Sequence, residues 1–275
     1  MSISELKIPF LADGMGFLGE RDGPIVVEKG LKLNLVHLTA IPPWIPTMEE
    51  TLVEIDKFKK MIESQPRLRL VLNQKDLLSV TADKKIGVVL GMQNTPKDSV
   101  EVECLSVLRL KEVGVRIIAP CYDKQNILGS GWLNSDIGLS DEGRRFIRDC
   151  ARAGMIVDLS HSGHRMARDI ISYAKEGDYT PKIMASHGGC YRHYHHFRNL
   201  PDDVLKDVSE LGGVVGISTL TFTNHRVNNS VFPFKDHLNH AINLCGEDSV
   251  CIGSDDLYIT RDTEEQLESL RMEAE

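Results

Sequence analysis

Eight short apolar runs recur along the chain: IPFLADG, KLNLVHLTA, KIGVVLGMQ, VRIIAPCY, MIVDLSH, KIMASH, GVVGIST and SVCIGSDD. They are rich in β-branched residues and nearly continuous in apolar character, the pattern of strands buried on both faces, as parallel strands are. From the second run onward each is followed by a segment able to form a helix, at 47–64, 98–113, 140–153, 163–176, 201–211, 234–245 and 262–274. Thr47 with Glu50, Ser140 ahead of two acids, and Pro201 before Asp202 and Asp203 supply helix starts. Gly114, Gly154, Gly177, Gly212 and Gly246 supply helix stops. Parallel strands need crossover connections, so this alternation predicts an α/β fold, a single (β/α)8 TIM-type barrel over 1–275, with a doubly wound sheet as the alternative. The first βα segment, 14–31, lacks a convincing helix, and the last helix is short.

Composition narrows the partners. Forty acidic against 32 basic residues give a net charge of −8, which repels phosphate backbones and anionic membrane surfaces, so neither nucleic acid nor membrane is expected as a partner. The six cysteines are scattered without a CxxC pair, as suits free thiols in a reducing compartment. The start, MSISELKIPF, has no basic stretch followed by an apolar one, and the uncharged run from Leu211 to Asn224 is too short to span a bilayer. A cytoplasmic location is expected.

In a parallel barrel the active site gathers where strand C-termini open into βα loops. The polar residues in those positions are Asp13, His37, Gln93, Tyr122, His161, His187, Ser218 and Asp255. Either His161 or His187 alone is most simply a core histidine bonded to a backbone carbonyl. Together they close consecutive strands at the same phase, which brings two imidazoles into one mouth and favours a shared metal. Asp255 closes the last strand, beside the first in a closed barrel, where a carboxylate can ligate a metal or move a proton. A helix N-cap for the following segment is the plainer role, and the neighbouring Asp256 can fill it equally well.

These residues and the words around them resemble the renal (membrane) dipeptidase family, the M19-type zinc peptidases of the amidohydrolase-like barrels. The matching words are GVVLGMQNTP, LRLKEVGVRIIAPCYDKQNILGSG, GLSDEGRRFIRDCARAGMIVDLSHSG, ASHGG, HFRNLPDDVL, GGVVGIS, DHLNHAINLCG and IGSDD, in order from about residue 85 to 257. The resemblance implies that His161 and His187 are zinc ligands, that Asp255 handles a proton, and that Arg198 receives a substrate's terminal carboxylate. A planar guanidinium suits that carboxylate. It also implies a homodimer and a small-molecule or dipeptide substrate.

The departures matter as much. The family's bridging glutamate is Gln93 here, a substrate-facing histidine is Tyr122, and a first-strand His-x-Asp pair is Met15 and Phe17. Gln93 and Tyr122 resemble the pattern of a divergent bacterial branch. A two-metal centre is therefore not expected. The expectation is one zinc, or another divalent ion, held by His161, His187 and a third donor among Asp255, Gln93 and His37, of which Asp255 is the best suited. Tyr122 stands as a catalytic and substrate-contacting residue. His193 and His195, in the loop YRHYHH, are expected at the surface, and His196 matches a family histidine. The functional expectation is a metal-dependent hydrolase of dipeptides or a related small amide. The alternative is a barrel without catalysis that binds a small carboxylate or a protein partner.

Overall fold

The computed structural model describes residues 11–18, 33–41, 47–96, 105–176, 179–219 and 232–258. Each of the eight apolar runs contributes a strand: β1 (Ala12–Leu18), β2 (Leu35–Thr39), β3 (Ile86–Met92), β4 (Val115–Ile118), β5 (Ile156–Asp158), β6 (Lys182–Gly188), β7 (Val215–Ile217) and β8 (Val250–Ile252). Every strand pairs in parallel with its neighbours, and β8 returns to β1 through Asp13 and Ile252, which closes the barrel. Closure leaves no open edge, and the strands are buried accordingly: in β3 only Val89 is other than fully buried.

Seven helices wrap the barrel among the described residues: α1 (Met48–Ser64), α2 (Gln74–Asp83), α3 (Leu105–Glu112), α4 (Asp141–Ala153), α5 (His164–Glu176), α6 (Asp202–Glu210) and α7 (Phe232–Cys245). Their starts follow the expected side-chain chemistry. Thr47 Oγ1 accepts the Glu50 amide at 3.2 Å and Ser140 Oγ accepts the Gly143 amide at 2.9 Å. On α1 the buried residues Thr51, Ile55, Phe58 and Ile62 recur at helical spacing and face the strands. Burying a side chain of the size of Ile or Phe contributes about 1.5–3 kcal/mol, so this stripe fixes the helix to the barrel. Gly154 ends α4 in the left-handed region at φ 66°, where any side chain would cost about 1 kcal/mol.

Two parts of the chain depart from the sequence reading. A short strand at Leu68–Leu70 and helix α2 stand where no element was expected. β3 begins to pair with β4 only at Leu90, and Leu68–Leu70 fills the remaining edge opposite Ile86–Val88. Asn73 and Asp76 form a reciprocal capping box that starts α2. Asp256 does not cap a helix: Asp256–Tyr258 is a strand paired with β1 at Gly16–Leu18, which raises the barrel wall at the mouth. The expected helix at 262–274, the stretch 42–46 and the first part of the helix expected at 98–113 lie outside the described residues.

Candidate metal centre and substrate mouth

His161 follows β5 and His187 closes β6, and the two rings meet. Their Nε2 atoms are 3.0 Å apart. His161 Nδ1 lies 2.8 Å from Asp123 Oδ1. An ionised carboxylate only accepts, so His161 Nδ1 carries the hydrogen and its Nε2 presents a lone pair. His187 Nδ1 lies 2.6 Å from Ser186 Oγ, and that hydroxyl donates its one hydrogen to the buried carboxylate of Asp158. His187 Nδ1 is therefore also the donor, and its Nε2 also presents a lone pair.

Two lone pairs aimed at each other at this distance repel unless a positive charge lies between them. Protonation of the rings is opposed. Burial, then the Arg198 charge, hold both imidazoles well below the usual histidine range, and for His187 the neighbouring His161 and His37 add to this. The donor set thus fits a cation, with each Nδ1 tied to an acceptor in the way that orients metal-binding histidines. Among the described residues no three His, Cys, Asp or Glu side chains form a complete cation cage. A carboxylate oxygen, Asp255 Oδ1, lies 3.8 Å from His187 Nε2.

Both His161 and Asp255 lie in the left-handed backbone region, at φ 68° and 54°. A left-handed residue breaks the alternation of the strand it follows and costs about 1–2 kcal/mol. The surrounding bonds hold these conformations: the Asp255 amide donates to Met15 O at 3.0 Å, and His161 O accepts the Trp132 amide at 2.9 Å.

Tyr122 stacks on the His161 ring, with centroids 4.1 Å apart and planes inclined by 23°. Burial, reinforced by Asp123 and Asp255 and opposed by Arg198, raises the Tyr122 phenol above its ordinary pKa. It stays a donor at neutral pH. Arg198 is buried in the same mouth; burial lowers its pKa, and the charges of Asp255, Asp158 and Asp123 counter that. His161, His187, Tyr122, Arg198 and Asp255 therefore share one site.

Across the mouth the chemistry changes. Gln93, just past β3, donates from Nε2 to Met15 Sδ at 3.4 Å, and its buried Oε1 has no hydrogen-bond partner among the described residues. Met15 is completely buried. His37 donates from Nδ1 to Gly14 O at 2.7 Å and lies against Gly91, where a β-carbon would collide with its Nε2. Burial lowers its pKa, opposed by Asp158, the Gly14 carbonyl and Asp13. His193 and His195 are exposed, His196 faces the Trp132 ring at 5.0 Å, and Ser218 is buried with its amide on Gly188 O.

A supporting layer lies behind these residues, of which only Asp13 stood among the strand-end residues read from the sequence. Asp158 accepts from the Ser160 and Ser186 amides at 3.0 and 2.9 Å as well as from the Ser186 hydroxyl. Asp13 repeats the arrangement, accepting from the Met15 and Ser254 amides at 3.1 and 2.9 Å and from the Ser254 hydroxyl. The visible signal was a serine directly before each of His161, His187 and Asp255. Asp123 and Trp132, whose indole donates to Asp123 at 2.6 Å, had no such mark.

The sequence profile of the membrane dipeptidase family (Peptidase family M19) matches residues 27–268. The chain belongs to this family. Dipeptidase tcpJ from Claviceps purpurea (strain 20.1) is 28% identical over 220 residues, which cover 76% of the chain and 49% of that protein. Dipeptidase verJ from Clonostachys rogersoniana is 27% identical over 214 residues, 76% of the chain and 53% of that protein, so the chain spans about half the length of these curated relatives. Among solved structures, an amidohydrolase from Pseudomonas aeruginosa superposes with a TM-score of 0.76 at 24% identity, covering 94% of the chain and 77% of that structure. That likeness shows the shared fold, an α/β barrel of the TIM type. No helix among the described residues is long and apolar enough to cross a membrane.

Proposed function

We propose that the chain is a metal-dependent hydrolase of dipeptides or a related small amide, working at a single divalent cation, zinc in the first instance. The observation that carries this reading is the pair of Nε2 lone pairs 3.0 Å apart, with both Nδ1 hydrogens committed elsewhere. Membership of the dipeptidase family and the likeness to two curated dipeptidases support the substrate class. His161 and His187 would hold the cation, with Asp255 or the Gln93 amide oxygen as the further donor. When bound, it polarises an amide carbonyl and acidifies water beside it.

The chain's own residues divide the remaining work. Arg198 receives the substrate's terminal carboxylate, since a guanidinium already desolvated in the mouth binds an anion strongly. Tyr122, kept protonated, donates its hydrogen to a substrate oxygen. Where Gln93 rather than Asp255 is the further donor, Asp255 takes the proton from the attacking water and passes it to the leaving amine. The substrate is a small molecule, and the active form is a homodimer in the cytoplasm.

The Met15 and Gln93 pair favours a second reading, a barrel that binds a small carboxylate without turnover, because a thioether and an amide stand where the resemblance implies metal-binding side chains. Assay of a dipeptide panel with and without added zinc separates the two. Turnover that zinc restores after chelation, and that His161→Ala abolishes, is expected. Ligand-induced thermal stabilisation with no turnover in any condition would establish the second reading.

A further inference from the structure

We propose that Asp123 is a positioning residue that fixes the tautomer and direction of His161, and that Trp132 holds the Asp123 carboxylate in place to do so. Neither residue falls on a position to which the family resemblance assigns a role.

The three residues form a closed circuit. The His161 carbonyl accepts the Trp132 amide at 2.9 Å, the Trp132 indole donates to Asp123 Oδ1 at 2.6 Å, and the same oxygen takes the His161 Nδ1 hydrogen at 2.8 Å. An indole nitrogen can only donate and a carboxylate can only accept, so the direction of every bond is determined. The backbone ties the loop to itself as well: the Leu133 amide donates to Asp123 O at 3.0 Å, and the Gly131 amide to Lys124 O at 3.2 Å. At Gly131 a β-carbon would run into the Tyr122 and Asp123 backbone, so the two sides of this loop approach as closely as glycine allows.

The circuit grips a histidine that needs gripping. His161 sits at φ 68°, a conformation that side chains adopt at a cost, and the circuit fastens both its carbonyl and its ring. With a hydrogen held on Nδ1, the only lone pair left is on Nε2, facing His187. Loss of the carboxylate frees the ring to move its hydrogen to Nε2, which blocks that atom as a ligand. His187 reaches its own carboxylate, Asp158, through Ser186 instead, so the two rings are oriented by independent devices.

The test uses NMR of protein labelled with 15N-histidine in the metal-free state, and zinc titration against a competing chelator, on wild type, Asp123→Leu, Asp123→Asn and Trp132→Phe. In wild type the His161 hydrogen is expected on Nδ1. In Asp123→Leu it is expected to move to Nε2, with zinc affinity falling roughly 10–100-fold, the usual loss for an outer partner of a metal-binding histidine. Trp132→Phe should keep the Nδ1 hydrogen and lose less affinity. If Asp123→Leu does not fold, Asp123→Asn carries the test, since its weaker acceptor should speed exchange of the Nδ1 hydrogen with solvent. An unchanged tautomer in folded Asp123→Leu, or unchanged exchange in Asp123→Asn, overturns the proposal. The affinity arm rests on the metal reading above and the tautomer arm does not, so wild type that binds no zinc would sink the former while the latter still decides the role of Asp123.

Discussion

On the β5–β6 side of the mouth, each imidazole Nδ1 has an acceptor that points its ring inward; on the β1–β3 side, a buried thioether and a neutral amide meet each other. The two sides share a scaffold. Asp158 on β5 and Asp13 on β1 each accept two backbone amides and one serine hydroxyl from the neighbouring strand. What differs is what lies beside it: the imidazoles of His161 and His187 next to Asp158, and the buried Met15 thioether, with the Gln93 amide against it, next to Asp13. The comparison teaches that one buried-carboxylate framework can support either imidazoles or neutral groups, because the carboxylate satisfies backbone amides and a serine hydroxyl whatever side chains stand beside it.

The sharpest way to break this comparison is to exchange side chains on one side at a time. His187→Ala should lose cation binding by more than the roughly 10–100-fold that removal of an outer partner costs, and turnover with it. Met15→Leu, close in volume, should cost under about 1.5 kcal/mol of stability and leave metal binding unchanged. Zinc titration and thermal melts measure both, and equal losses of affinity would erase the distinction.

Gln93→Glu places a charge beside Met15 in a fully buried position. Without a compensating cation it should destabilise the metal-free protein by about 3 kcal/mol, and added zinc should recover part of that loss. Chemical denaturation with and without zinc checks this. Asp13→Asn and Asp158→Asn should each cost about 2 kcal/mol, since each leaves buried donors poorly matched. Asp158→Asn should also weaken zinc binding, by about tenfold, because Asp158 takes the hydrogen of the serine that accepts from His187 Nδ1.

The smallest effect is on pH dependence. The folded-state pKa values of His37, His161 and His187 lie below the usual value of 6.5. The unfolded chain therefore takes up protons as pH falls through 6.5 while the folded chain does not, so stability of the metal-free protein should drop from pH 7 to 5. Each histidine contributes at most about 1.4 kcal/mol per pH unit. Denaturation at stepped pH measures the slope, and a rise in stability towards pH 5 would contradict the buried, neutral state of these rings.

The barrel was legible because β-branched apolar runs are a strong local signal and, from the second run onward, a helix-forming segment follows each. The Leu68–Leu70 strand was not, since three residues are too few to show a pattern, and helix α2 went unread although the Asn73 and Asp76 capping box was there to find. His161, His187 and Asp255 were legible from their shared place at strand ends. Asp123 and Trp132 were not, because their role arises only when a loop folds back onto His161, a contact between residues 38 positions apart. Asp158 and Asp13 fall between: Asp13 stood among the strand-end residues and Asp158 lies within the run MIVDLSH, but the pairing across strands depends on barrel register.

The central claim is that the mouth holds one cation, at His161 and His187, and no second one at Met15. Mass spectrometric elemental analysis of protein purified without chelator measures it directly. One divalent cation per chain, lost in His161→Ala and kept in Met15→Leu, is the predicted result; two cations per chain, or none after incubation with zinc, would contradict it.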